Sequence, residues 1–162
     1  MADTDVHLNP GDFRFAGGDV RLHTLLGSCV AITLWHPGRR IGGMCHYLLP
    51  GRHPGVAPRL DGRYADDAVG LFHREVDRHG TTPQDYVVKV FGGADQFPRI
   101  PGPLTGVAAQ NARVGLDLLR RHGFTVSACE LGGRGSRRLI FELATGDVWL
   151  RSLDPYEDRA TT

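Results

Sequence analysis

Hydrophobic and polar positions alternate with a period of two over several short stretches and with a helical period over two longer ones. "FRF" and "VRLHTLL" read as short strands separated by the turn "AGGD". "CVAITLW" sets Val30, Ile32 and Leu34 on one face and Cys29, Ala31, Thr33 and Trp35 on the other, a strand pattern. "HPGRR" is a turn centred on Pro37-Gly38, and "IGGMCHYLL" is the returning strand, whose glycines predict close backbone approach or a bulge. Pro50 to Arg63 is a surface loop by composition. "ADDAVGLFHREVDRHG" then aligns Ala65, Ala68, Val69, Phe72 and Val76 on one helical face, with acidic residues in its first turn and Gly80 past its end. "DYVVKVFGG" is a strand, Val107 to His122 a second helix closed by Gly123, and "FTVSACEL" a further strand. "RRLIFELATGDVWLRSL" reads as a final hairpin turning at Thr145-Gly146. The pattern predicts an α+β fold: a single domain over residues 12–153 with a mostly antiparallel β core and two main helices packed against it. Residues 1–11 are expected to form a flexible arm and residues 154–162 a frayed tail.

Composition narrows this picture. The 162 residues suit one domain, and the formal net charge of +1 implies no global attraction to nucleic acid or to an anionic membrane. The polar, acidic start "MADTDVHLNPGDF" is unlike a signal peptide, and no apolar run approaches the roughly 20 residues of a membrane span. Three cysteines argue against a disulfide framework and for a reducing, cytoplasmic setting.

Two of those cysteines and a histidine fall in the first hairpin. A loop symmetric about Pro37-Gly38 opposes Trp35 to Arg40 and Cys29 to His46, and directly opposed residues share a face. Cys45 points to the other face, beside Val30 and Ile32, where a cysteine behaves as a small buried hydrophobe. A bulge at Gly42-Gly43 would instead move His46 off the Cys29 face. A thiol beside an imidazole is a candidate nucleophile with its base, and the same pair also occurs as inert strand packing. Thr24 is a candidate hydroxyl to orient the histidine, and the backbone N–H groups of Gly27, Ser28 and Cys29 are candidates for stabilising an oxyanion.

"TLLGSCVAITLW", "IGGMCHYLLP", "RYADDAV", "VFGGADQF", "NARVGLDLLRRHGF" and "ELGGRGSRRLIFELATGDVWL" occur in the order and spacing of the CheD family, the bacterial chemoreceptor glutamine deamidases. The resemblance runs from about Gly11 to Ser152. It implies a cysteine hydrolase that converts receptor glutamines to glutamate, with Cys29 as nucleophile, His46 as base and a threonine before the glycine turn as the third member. Thr24 fits that place, and His23 occupies the neighbouring one. The same chemistry would hydrolyse glutamate methyl esters. The implied partners are the cytoplasmic helical domains of chemoreceptors and a CheC-like phosphatase. A non-catalytic adaptor that docks on either is the rival reading.

Gly92, Gly93 and Phe97 mark the segment expected to meet substrate or a partner, and the basic turn Arg134 to Arg138 is a candidate contact for an acidic one. Where the family often has Gly and Arg before Asn111, this chain has Ala109 and Gln110. No phosphate-binding glycine motif is present, and adjacent Cys45 and His46 lack metal-ligand spacing, so no nucleotide, metal or other cofactor is expected.

Overall fold

The computed structural model describes residues 4–51, 59–95 and 106–153. Among the described residues, nine strands and two α-helices follow in chain order: β1 (Thr4–His7), β2 (Phe13–Gly17), β3 (Val20–Leu26), β4 (Val30–His36), β5 (Ile41–Tyr47), α1 (Ala65–Arg78), β6 (Val87–Gly92), α2 (Val107–Arg121), β7 (Val126–Leu131), β8 (Arg137–Glu142) and β9 (Val148–Ser152). They form a four-stranded sheet of order β1-β3-β8-β9 and a five-stranded sheet of order β2-β5-β4-β6-β7. The architecture is the α+β arrangement that the pattern predicts, with all neighbouring strand pairs antiparallel except β1·β3 and β6·β7.

The period-two alternation of β4 and β5 explains the layering. Val30, Ile32, Leu34, Cys45 and Tyr47 lie on the face of the five-stranded sheet that packs against the helices, with Ala65, Ala68, Val69, Phe72 and Val76 of α1 and Leu119 of α2. Ala31 and Met44 face the other way and join Leu22, Leu26, Leu139 and Phe141 of the four-stranded sheet in a second core. Every residue of the helical face read from the sequence in α1 is fully buried. Both β4 and β5 are covered on two sides, so their sequences are nearly all apolar or glycine.

Two local features differ from expectation. The stretch read as a flexible arm contributes β1, which pairs in parallel with β3 from Thr4↔Val20 to His7↔His23, followed by buried Leu8. The turn between β2 and β3 stands where the pattern puts it, and the two strands enter different sheets. The β4–β5 loop spans Pro37 to Arg40 rather than the Pro37-Gly38 pair alone. Arg40 has φ 52°, and its N–H closes back on the His36 carbonyl at 2.8 Å. Two added loop residues shift the register by two, so Trp35 opposes Gly42 and Ala31 opposes His46. A shift of two keeps every side chain on its face.

No bulge interrupts this pairing, and Gly42-Gly43 serve close approach instead. A Cβ on Gly42 would overlap the Leu34 carbonyl, and one on Gly43 the Arg14 carbonyl. Both obstacles are backbone and cannot swing aside. Gly43→Ala is therefore expected to destabilise the fold by about 2–3 kcal/mol, read as a lower urea midpoint.

Candidate active site

The site lies where the two sheets meet at the end of β3. Thr24 points inward from β3, and its hydroxyl contacts two groups: the Leu8 carbonyl at 2.9 Å and Nδ1 of His46 at 2.7 Å. Both side chains are buried, at 5% and 1% exposure. A carbonyl can only accept, so the single hydroxyl hydrogen goes to Leu8 and Nδ1 must donate to Thr24. This arithmetic fixes the tautomer. The other ring nitrogen, Nε2, keeps its lone pair and is buried without a hydrogen-bond partner among the described residues.

His23, the alternative orienting residue, is on the outer face of β3. Its Nε2 meets Asp5 at 2.8 Å and its ring stacks on His7 at 4.6 Å between centroids. It does not reach His46. One residue along a strand separates the two faces, so only Thr24 of the two faces the inter-sheet side, and the resemblance, which allowed either position, could not choose between them.

Cys29 lies in the bend Gly27-Ser28-Cys29 between β3 and β4, partly buried against the inter-sheet core. It stands two residues before Ala31, the direct partner of His46, and packs with Ala31 in the inter-sheet core, on the side of the sheet that carries His46. The shift in register thus changes the partner but not the side. Cys45 is on the opposite face, opposed to Ile32, and burial pushes its thiol up to about 12. Cys129 is exposed on β7.

Burial also governs the ionisation of the pair. Desolvation lowers His46 to about 4, with the Asp12 charge opposing it weakly, and desolvation raises the Cys29 thiol, against a smaller opposite effect of the Ser28 hydroxyl. At neutral pH the resting site therefore holds a thiol and a neutral imidazole rather than an ion pair.

The bend is clamped from behind. Ala94 N–H donates to the Gly27 carbonyl at 3.0 Å and Gly93 N–H to the Cys29 carbonyl at 2.8 Å. Gly92 (φ 111°) lies so close that a Cβ there would overlap the Cys29 carbonyl. Gly92 and Gly93 thus abut the backbone of the bend, and Phe97 is outside the described residues. Gly92 ends β6 and Gly132 follows the neighbouring parallel strand β7, and Gly132 N–H donates to the Gly92 carbonyl at 2.9 Å. Buried Arg137 gathers this corner, donating to the carbonyls of Gly92 (3.3 Å), Glu130 (3.1 Å) and Gly132.

Three contributors were not legible as site residues in the sequence: Leu8, Arg137 and Asn111. Leu8 belongs to the stretch read as an arm, and Arg137 is one arginine in a basic run. Asn111 does leave a signal, because it heads the buried stripe Asn111, Gly115 and Leu119 at four-residue intervals on α2. A polar residue on such a stripe needs partners.

Residues 48–152 match the family model described as CheD chemotactic sensory transduction. The chain belongs to the CheD family. Thr24, Cys29 and His46 precede that matched span, but longer alignments with CheD relatives take them in. A protein of Pseudomonas fluorescens named "Probable chemoreceptor glutamine deamidase CheD" is 49% identical, covering 93% of this chain and 86% of its own. A Dechloromonas aromatica relative named "Probable chemoreceptor glutamine deamidase CheD 3" is 44% identical over 90% of this chain and 86% of its own. One from Leptospira interrogans, "Probable chemoreceptor glutamine deamidase CheD 1", is 34% identical over 90% and 91% respectively. Among the described residues of this CheD chain, no helix is long and apolar enough to cross a membrane.

Proposed function

We propose that this chain is a protein-glutamine deamidase acting on the cytoplasmic helical domains of chemoreceptors, with Cys29 as nucleophile, His46 as general base and acid, and Thr24 orienting the imidazole. The observation that carries the reading is the Thr24–His46 contact, which leaves Nε2 as a bare base on the face shared with Cys29. The relatives' names supply the substrate class.

The steps follow from the tautomer. Nε2 takes the Cys29 thiol proton as Sγ attacks the glutamine side-chain carbonyl carbon. The oxygen's developing charge is met by backbone N–H groups of the Gly27-Ser28-Cys29 bend. The imidazolium then gives its proton to the departing nitrogen, releasing ammonia and leaving a thioester. Water attacks that thioester, Nε2 accepts the water's proton, and the thiolate leaves and recovers it. The sum is glutamine plus water to glutamate plus ammonia. With a methyl ester in place of the amide, the same steps release methanol. The family resemblance likewise supports a CheC-like phosphatase as a second partner, and a substrate in receptor cytoplasmic domains calls for a cytoplasmic enzyme.

Mass spectrometry of a receptor cytoplasmic fragment incubated with the protein tests this reading. Conversion of specific glutamines to glutamate is expected. Binding without conversion would replace it with a docking role. Thr24→Val, equal in size but without the hydroxyl, is expected to lower kcat roughly 10²-fold by freeing the ring to rotate, while Thr24→Ser recovers most of the rate.

A further inference from the structure

We propose that Asn111 is a positioning residue that aims the oxyanion-binding N–H of Cys29. The inference rests on the reading above for the identity of the nucleophile, and not on the receptor substrate.

Asn111 is fully buried in α2. Its Nδ2 donates to two carbonyls, Leu48 at 2.8 Å and Ser28 at 3.2 Å. The amide's orientation is forced, since a flipped side chain would set its oxygen against two carbonyl oxygens. Leu48 follows β5 two residues after His46, and Ser28 precedes Cys29. One side chain therefore ties the nucleophile's bend to the end of the base's strand. The cost is visible: Asn111 Oδ1 is buried without a partner among the described residues. An apolar side chain of similar size would pack α2 without that cost, so the two donated hydrogen bonds are what the amide contributes.

Peptide planarity connects those bonds to the chemistry. The Ser28 carbonyl and the Cys29 N–H belong to one trans peptide unit and point in opposite directions. Holding the carbonyl toward α2 turns the Cys29 N–H away from α2, to the side of the five-stranded sheet that carries Cys29 and His46. The carbonyls of Gly27 and Cys29 are held by Ala94 and Gly93, so Asn111 completes the restraint on all three carbonyls of the bend. Without it, the Ser28–Cys29 peptide is the one free to rotate.

Two reactions at Cys29 separate this role from simple packing. In acylation by p-nitrophenyl acetate, Sγ bonds to the carbonyl carbon, the thiol proton passes to His46, an oxyanion forms, and p-nitrophenolate leaves. In alkylation by iodoacetamide, Sγ displaces iodide from a saturated carbon with the same proton transfer and no oxyanion. Both rates are read on the Cys29 peptide by mass spectrometry. Asn111→Leu is expected to slow acylation by about 10–100-fold while alkylation changes by less than about threefold. Equal losses in both rates, or no loss in either, would overturn the proposal. Asn111→Asp, of equal size and setting an oxygen against the two carbonyls, gives the same comparison if the leucine variant does not fold. A selective loss in acylation is expected of it too, and parallel losses overturn the role. A selective loss in a protein whose wild type leaves receptor glutamines unchanged would remove the receptor assignment and keep Asn111's role. An unmoved ratio alongside normal receptor conversion would do the reverse.

Discussion

Cys29→Ala is expected to reduce glutamine-to-glutamate conversion by at least about 10⁴-fold, to background, whereas Cys45→Ala and Cys129→Ser convert receptor fragment at close to the wild-type rate. The three thiols differ by environment, not by chemistry. Cys29 lies in the bend before β4, on the side of the sheet that carries His46 with its bare Nε2, and the carbonyls of that bend are held from behind. Cys45, only one residue from His46 in sequence, is opposed to Ile32 on the helix side of the sheet and raised to about 12 by burial, so it contributes no thiolate at neutral pH. Cys45→Ala removes buried apolar volume and is expected to lower stability by roughly 1 kcal/mol without touching the rate. Cys129 is exposed on the far strand of the sheet and has no base beside it among the described contacts. The measurement is the rate of conversion by each variant, with circular dichroism as the check on folding. Full activity in Cys29→Ala together with loss in Cys45→Ala would assign the nucleophile to the wrong face of β5 and dismantle the mechanism.

Why the side shared by Cys29 and His46 was readable from spacing, even though the register was not, is a matter of parity. Side chains alternate with period two, so an error of two residues in the hairpin leaves Cys29 and His46 together and Cys45 apart. An error of one would have exchanged them. The loop length itself depended on Arg40 adopting a positive φ, which is uncommon for a non-glycine residue and leaves no mark in a hydrophobic pattern. The helical face of α1 was legible because it is a run of five apolar residues against a polar background, whereas β1 was not. "TDVH" is polar and mostly exposed, and it is held at the sheet edge by backbone pairing with β3 and by the Asp5–His23 contact. Its consequence for the site is direct, because β1 leads into Leu8, whose carbonyl takes the Thr24 hydrogen and thereby sets the His46 tautomer. Long-range partners of this kind, like Asn111 and Arg137, are chosen by tertiary structure, and a single chain's local pattern does not encode which carbonyl a side chain will find.

The acid behaviour of His46 follows from the same burial. Its folded imidazole accepts a proton only below about pH 4, whereas an unfolded one does so below the ordinary 6.5. Between those values the unfolded chain binds the additional proton, so stability falls as pH falls through the window. The full difference, at about 1.36 kcal/mol per pH unit, amounts to about 3 kcal/mol. His46→Gln lacks this contribution. Urea denaturation at neutral pH and near pH 4 is therefore expected to show a larger acid loss for wild type than for His46→Gln, by about 2–3 kcal/mol. The same variant is expected to lower kcat by about 10³-fold at neutral pH, because it removes the buried imidazole nitrogen that keeps a free lone pair. For the wild type, kcat/KM should hold as pH is lowered through 6.5 and fall only toward about 4, where the base becomes protonated. An acid limb centred near 6.5 in folded protein would mean that His46 is solvated in the working enzyme. Equal acid losses in wild type and His46→Gln would mean the same for the resting fold. Either result would break the link between the buried Thr24–His46 contact and a neutral base poised beside the thiol.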